Sequence, residues 1–315
     1  MTIYIDLPVW PAHGTVFSHL ITDASLAQLH TFAREADISP RAFDRDHYDV
    51  PEYRYQDLVQ RGAYPVSGGQ LVRILAASGL RVTTRERPEK VRKNLLANWQ
   101  RLGAATAGVD SAGWAEAGGR LLARWSEPHR NYHAPHHLAA VLRTVGIVER
   151  AGELSADLRS AVLLAGWYHD AVYAGEAGRD EEESAQLAQQ ELGAMLPAHV
   201  VDEVGRLIRL TASHRPENDD AAGAALVDAD LEILGRDAQA YRRYISQVRA
   251  DYSHVSDTDF SQGRAQVLQR LLGAPRLFHT HVGYVRWEAA ARANIEDELV
   301  QLERGGRPWE PADYL

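Results

Sequence analysis

Three segments of the chain set imidazole and carboxylate groups inside apolar helical periodicity, where neither group is cheap to bury. In AVLLAGWYHDAVY (161–173) an almost wholly apolar helix runs into adjacent His169 and Asp170. Burying that pair costs several kcal/mol unless each group is paired or bound to a cation. Upstream, RNYHAPHHLAAVL (130–142) carries His133 and His137 four residues apart at the start of a helix opened by Pro135. Downstream, VDADLEILG (227–235) places Asp230 in another apolar helical run. Three polar intrusions into three buried helices could converge on one ion. The chain has no cysteine, so thiolate sites, disulfides and cysteine nucleophiles are excluded, and any metal must use His, Asp, Glu and water. Imidazoles and carboxylates together form a mixed nitrogen and oxygen set that suits Mn, Fe, Co, Ni or Zn, with Mg admissible. Asp170 has two oxygens and could bridge to a second ion, so one or two divalent ions are expected.

Other polar residues are candidates with equally plain structural readings. Arg130 suits phosphate, because a guanidinium donates to two oxygens at once, but it also reads as a surface arginine at a helix start. His214 reads as a second-metal ligand or a phosphate contact, or as a polar helix end before Arg215 and Pro216. Glu181 lies in an acidic first turn that needs no function. Arg264, Arg292 and Asn294 lie on expected helices as substrate contacts, or as partners in packing.

The elements that must position these groups come in two grammars. Residues 1–84 mix short β-like stretches (Thr2 to Ile5, Tyr64 to Val66, Leu80 to Thr83) with helical ones (Ser25 to Ala36, Gly69 to Ala77), which predicts a small α/β domain. Residues 85–113 read as a linker or connecting helix, basic at its start and broken at Pro88. From Trp114 long apolar-periodic segments follow: His136 to Arg150, Leu158 to Val172, Glu181 to Met195, Val200 to Ala212, Leu226 to Leu234, Ala238 to Tyr252, Gly263 to Leu272 and Val282 to Arg304. This predicts an all-α domain over 114–315 ending in an extended tail, GGRPWEPADYL, and an α+β chain overall.

With 315 residues, 45% hydrophobic and 24% charged, the chain has ample core material and is not a disordered sequence. No apolar run reaches the roughly 18 to 20 residues of a membrane helix, and MTIYIDLPVW lacks the order of a signal peptide, so a soluble cytoplasmic protein is expected. The net charge of -9 points to small substrates and away from long nucleic acid, although a local groove of arginines would override it. A homo-oligomer is compatible with all of this.

The order of His, then His-Asp, then Asp resembles the HD-domain metal-dependent phosphohydrolase superfamily. R-x-Y-H-x-x-x-H (Arg130, Tyr132, His133, His137), Y-H-D-x-V-Y (Tyr168 to Tyr173), E-x-x-S-A (Glu181, Ser184, Ala185), T-x-x-H (Thr211, His214), D-x-D-L-x-I-L-G (Asp228 to Gly235) and AARANIEDEL (Arg292, Asn294) look like the predicted metal-dependent HD phosphohydrolase subgroup. The resemblance covers residues 114–304. The Y-H-x-x-x-H segment is also similar to the start of the cyclic-nucleotide phosphodiesterase site. Carried over, these likenesses imply His137, His169, Asp170 and Asp230 as metal ligands, His133 as general acid, and catalytic roles for Asp170 and for Glu181, the latter orienting water. Ala134 stands where those phosphodiesterases carry Asn, so one side-chain contact is missing. The implied activity is hydrolysis of a small phosphate ester, a nucleotide, cyclic nucleotide or related phosphomonoester, by metal-activated water. Two alternatives stay open. One is a di-iron oxygenase on the same scaffold, which needs further histidines such as His214 or His199, and the other is a non-catalytic ligand-binding module.

The first 84 residues hold Asp6, His13, His19, Asp23, His30, His47 and Asp49, a density that invites a metal or catalytic hypothesis. Their spacing supports no specific motif. YIDLPVWPAHG, SHLITD, Gln28 to His30, FDRDHYDVP and GAYPV are similar to a bacterial domain of unknown function that is sometimes fused to an HD domain. An accessory role is expected, because DHYDVP with Pro51 reads as a loop, and loops often border active sites.

Overall fold

The computed structural model describes residues 2–82, 87–104 and 110–310. The chain divides into two compact units between residues 84 and 85.

The first unit is a mixed sheet between helices. Its strands are β1 (Ile3–Asp6), β2 (Trp10–Ala12), β3 (Thr15–Thr22), β4 (Phe43–Asp44), β5 (His47–Pro51) and β6 (Tyr64–Val66). The order is β4-β5-β3-β1-β6, with β2 also on β3; β1 and β6 run parallel and the other pairs antiparallel. Side chains alternate across a strand, so adjacent residues of β3 face opposite layers. Leu20 joins one core with Ile5, Leu29 of α1 (Leu26–Glu35) and Leu58 of α2 (Tyr55–Gln60). Ile21 joins the other with Leu71 and Leu75 of α3 (Gly68–Ser78). Ser25 caps α1 by accepting the Gln28 N–H, and Ser67 with Gln70 forms a capping box on α3, which ends at Gly79 in the left-handed region.

The expected β1, β6, α1 and α3 are present, but three readings need correction. Leu80–Val82 forms no strand, and Thr83 lies outside the described residues. FDRDHYDVP is the β4-β5 hairpin and not a loop, with Arg45 at φ 65 making the turn, so Pro51 ends a strand instead of marking a lid. The eight-residue β3 escaped notice because polar residues interrupt its alternation.

The second unit is all helical. Its first helix, α4 (Pro88–Ala104), occupies much of the segment expected as a linker, yet Val91, Leu95, Trp99 and Leu102 are core residues. Residues 105–109 of that segment lie outside the described residues. Trp99 stacks on Trp114 of α5 (Ser111–Arg124) with ring centroids 4.4 Å apart, and each indole N–H donates to the other's backbone carbonyl, at 2.6 and 2.7 Å. That closeness needs Gly103 and Gly118, since a Cβ at either would fall 2.5 Å or less from an indole.

Helices α6 (Pro135–Arg150), α7 (Ala156–Tyr168), α8 (Arg179–Leu192), α9 (Ala198–Leu210) and α10 (Ala221–Leu231) complete this core. A second core gathers α11 (Ala238–Asp251), α12 (Asp257–Leu272) and α14 (Ala289–Glu303), the last preceded by the short α13 (His281–Gly283) and a π-turn at Tyr284–Glu288. The tail is not extended where it is described. Trp309 packs on Phe260 and its carbonyl accepts from Ser246, while 311–315 lie outside the described residues. No helix among the described residues is long and apolar enough to cross a membrane.

Candidate metal centre

Helices α6, α7 and α10 cross so that their polar intrusions meet. At the α6–α7 crossing Gly166 lets the backbones approach, since a Cβ there would lie 3.2 Å from Val141, one turn after His137. His137 enters from the first turn of α6, His169 caps the end of α7 with Asp170 following, and Asp230 projects from the last turn of α10.

The four side chains meet at their donor atoms. His137 Nε2 lies 3.2 Å from His169 Nε2, 3.1 Å from Asp230 Oδ1 and 3.6 Å from Asp170 Oδ2. His169 Nε2 lies 3.1 Å from Asp170 Oδ2 and 3.5 Å from Asp230 Oδ1. Metal to ligand bonds of about 2.0–2.2 Å place neighbouring donors about 3.0–3.5 Å apart, so His137, His169 and Asp230 could hold a divalent transition ion, with Asp170 beside both imidazoles. The electrostatics agree with the fit. Burial disfavours charge on His169, Asp170 and Asp230, yet mutual attraction prevails: the Asp170 and Asp230 carboxylates hold the His169 pKa well above its ordinary value. Chiefly through His169, Asp170 falls to about 2 and Asp230 well below the usual range. Two carboxylates at this spot demand positive charge, which either a proton or a cation supplies.

Neighbouring groups aim the ligands. His169 Nδ1 faces the Gly166 carbonyl at 3.0 Å, which turns Nε2 to the cluster. Trp125 packs against both ligand rings, with centroids 6.1 and 5.5 Å away, and Tyr132 covers His137 at 4.7 Å. His214 also arrives: its Nε2 is 2.9 Å from Asp230 Oδ2, on the oxygen that does not face the other imidazoles. Its backbone holds φ 54, a left-handed conformation that a non-glycine residue keeps only when its surroundings impose it.

His133 lies beside the cluster, its ring centroid 5.9 Å from that of His137, stacked on Tyr173 at 4.1 Å. Its Nδ1 is 2.8 Å from Asp251 Oδ2. Asp251 also accepts from the backbone N–H groups of Asn131, Tyr132 and His133. Burial works against its charge, but His133 and those donors hold the carboxyl below its usual range. Asp251 went unnoticed in the sequence. The available signal was a carboxylate in the last turn of α11, where the helix dipole opposes it and some other partner is implied.

The remaining candidates have other jobs. Arg130 is buried, and its guanidinium donates to the carbonyls of Asp170 at 2.6 Å and Ala171 at 3.2 Å and to Glu127 at 2.9 Å. It ties the segment before His133 to the turn after His169, which corrects its reading as a phosphate clamp. Glu181 accepts the Gly178 N–H through one carboxylate oxygen as part of the α8 cap, the plain role its place in an acidic first turn allows. Arg264 is buried in a bidentate pair with Glu298 and donates to Tyr244, inside the second core. Arg292 pairs with Glu288 and donates to the carbonyls of Leu272, Ala274 and Pro275, closing the end of α12. Asn294 donates to the carbonyls of Leu234 and Arg236. The donors of all three have protein acceptors, which accounts for them as packing partners.

Among known families, the model described as a protein of unknown function (DUF4031) matches residues 3–78, the span of the sheet unit. No curated protein and no solved structure matches the chain.

Proposed function

We propose that the helical unit is a metal-dependent hydrolase of a small phosphate ester, a nucleotide, cyclic nucleotide or related phosphomonoester, of the HD-domain phosphohydrolase type. The observation that carries this reading is the convergence of the His137, His169 and Asp230 donor atoms at 3.1 to 3.5 Å, with Asp170 Oδ2 3.6 and 3.1 Å from the two imidazoles and His133 next to them. Those four residues would hold the ion. When bound, such an ion brings the pKa of water toward neutrality and offsets charge on phosphoryl oxygens.

The chain's own residues supply the rest. With Nδ1 held by Asp251, His133 has Nε2 as its working nitrogen, in position to give a proton to the departing ester oxygen. Before that transfer the ring carries the proton on Nε2 and is cationic, and Asp251 stabilises it in that form; once the proton has gone to the leaving oxygen the ring is neutral, with Nδ1–H still on Asp251. Arg130 keeps the His133 and Asp170 segments in fixed relation. Tyr132 and Trp125 exclude water from the ring faces of the ligands.

The test is product release from nucleoside monophosphates, cyclic nucleotides and simple phosphate esters by metal-stripped protein given Mn, Co, Ni, Zn or Mg. Turnover that depends on the metal and vanishes in Asp170→Ala is the expected result. No turnover with any ion, or turnover indifferent to Asp170→Ala, overturns the reading. A second reading, a di-iron oxygenase, is favoured by His214, which brings a third imidazole to Asp230. His199, the other histidine considered for it, is exposed on α9. Oxygen uptake by the iron-loaded protein, with no phosphate released, would select it.

A further inference from the structure

The sheet unit holds a second constellation, built in the same style from residues that sequence spacing left unassigned. His19 on β3 and Asp49 on β5 are cross-strand partners, and His47 lies two residues before Asp49, on the same face of β5. His19 Nε2 and His47 Nε2 lie 3.7 and 3.2 Å from Asp49 Oδ1.

Each imidazole is held from behind by a buried carboxylate. His19 Nδ1 meets Asp6 Oδ2 at 3.0 Å, and Asp6 also accepts the His19 backbone N–H and the Trp10 indole N–H. His47 Nδ1 meets Asp46 Oδ1 at 2.6 Å, while the other oxygen of Asp46 accepts the Val82 N–H at 2.7 Å. Asp6 and Asp46 are 1% and 2% exposed. Two carboxylate–histidine pairs therefore hold both rings by Nδ1 and turn Nε2 toward Asp49, the arrangement by which proteins orient metal-binding histidines once the ion takes the place of the Nε2 proton. A cleft of about 450 Å³, lined by Trp10, Phe17, Phe43, Arg41, His19 and Asp49, opens onto the group.

We propose that His19, His47 and Asp49 form a site for a divalent transition ion in the sheet unit, distinct from the helical centre. Two imidazoles and one carboxylate are the ligand class of zinc hydrolytic sites and of non-haem iron(II) sites. Three protein ligands leave coordination positions open, and the cleft gives a small ligand access to them. Asp6 and Asp46 are positioning residues. The alternative occupant is a proton shared between His47 and its two carboxylates, which would make the group an ion pair only.

The deciding experiment uses the full chain with the helical centre disabled by His169→Ala and Asp170→Asn, stripped of metal and titrated with Co²⁺ and Zn²⁺, following Co²⁺ absorption and bound metal by elemental analysis. One equivalent is expected to bind. His47→Gln should abolish that binding, and Asp46→Asn should weaken it by about 10–100-fold without removing a ligand. In the chain with an intact helical centre, His47→Gln should lower total metal by one equivalent. Far-UV circular dichroism checks that each variant is folded, and Asp49→Asn, altered at a half-exposed side chain, serves where His47→Gln is not. No uptake by the folded parent, or uptake that His47→Gln and Asp49→Asn leave unchanged, overturns the site. Because the helical centre is already disabled, neither outcome bears on its phosphohydrolase reading.

Discussion

His133, His169, His19 and His47 each have Nδ1 against an oxygen: Asp251, the Gly166 carbonyl, Asp6 and Asp46 respectively. A neutral imidazole has one donor and one acceptor nitrogen, so a fixed partner on one side decides what the other can do. For His133 this predicts a separable effect. Asp251→Asn should lower kcat on the order of 10²-fold, leave metal content at the helical centre unchanged and shift the pH profile, because the amide cannot stabilise a cationic ring. Steady-state kinetics with elemental analysis checks this, and loss of metal together with rate would mean that Asp251 only supports the fold. Arg130 teaches the opposite lesson. It has the right chemistry for a phosphate, yet its donors are bound to the carbonyls of Asp170 and Ala171.

The helices bring these groups together because small residues let them approach. Gly166 sets the α6–α7 crossing, and Gly103 and Gly118 set the α4–α5 crossing around the Trp99–Trp114 stack. At Gly118 an added Cβ would sit 2.3 Å from Trp99 Cδ1, so the helices or the indole must move. Gly118→Ala should destabilise the helical unit by about 1–3 kcal/mol, read from urea unfolding. An unchanged midpoint would show that the crossing is slack. In the sheet unit the β4-β5 hairpin does comparable work, since it carries His47 and Asp49 into register with His19.

Each of the two units has its own apolar core, so a local charge cluster bears on the stability of the unit that contains it. In the sheet unit His47 is the sensitive group. Burial opposes its charge, but hydrogen bonds to Asp46 and Asp49 raise its pKa from 6.5 to about 9 in the ion-free protein. A raised histidine pKa means that the folded state binds the proton more tightly, so the stabilisation is full below pH 6.5 and is lost as pH rises to about 9. The loss is up to about 3 kcal/mol, a large share of the 5–15 kcal/mol typical of a domain. Thermal melts of metal-free protein between pH 6.5 and 9 should show it, and Asp46→Asn should flatten the slope.

The amino-acid sequence by itself determined the α+β class, the change of grammar near residue 84 and most of the helices after Trp114, and it singled out the His and Asp residues that the helical cluster contains as candidates. The reason is physical: helical periodicity is local, and a His or Asp inside an apolar helix stands out because its burial has to be compensated. Only the tertiary structure decided which polar groups remained available. Arg264, Arg292 and Asn294 read as candidate substrate contacts until the structure gives their donors acceptors distant in sequence, Glu298 for Arg264 and backbone carbonyls for Arg292 and Asn294, besides Glu288 one turn before Arg292. Asp251 lies 118 residues after His133 and no spacing rule links the two. The His19, His47 and Asp49 group was hidden for a related reason. Two residues apart means one face only if the segment is a strand, and DHYDVP, with its proline, becomes a strand only when β3 pairs with it.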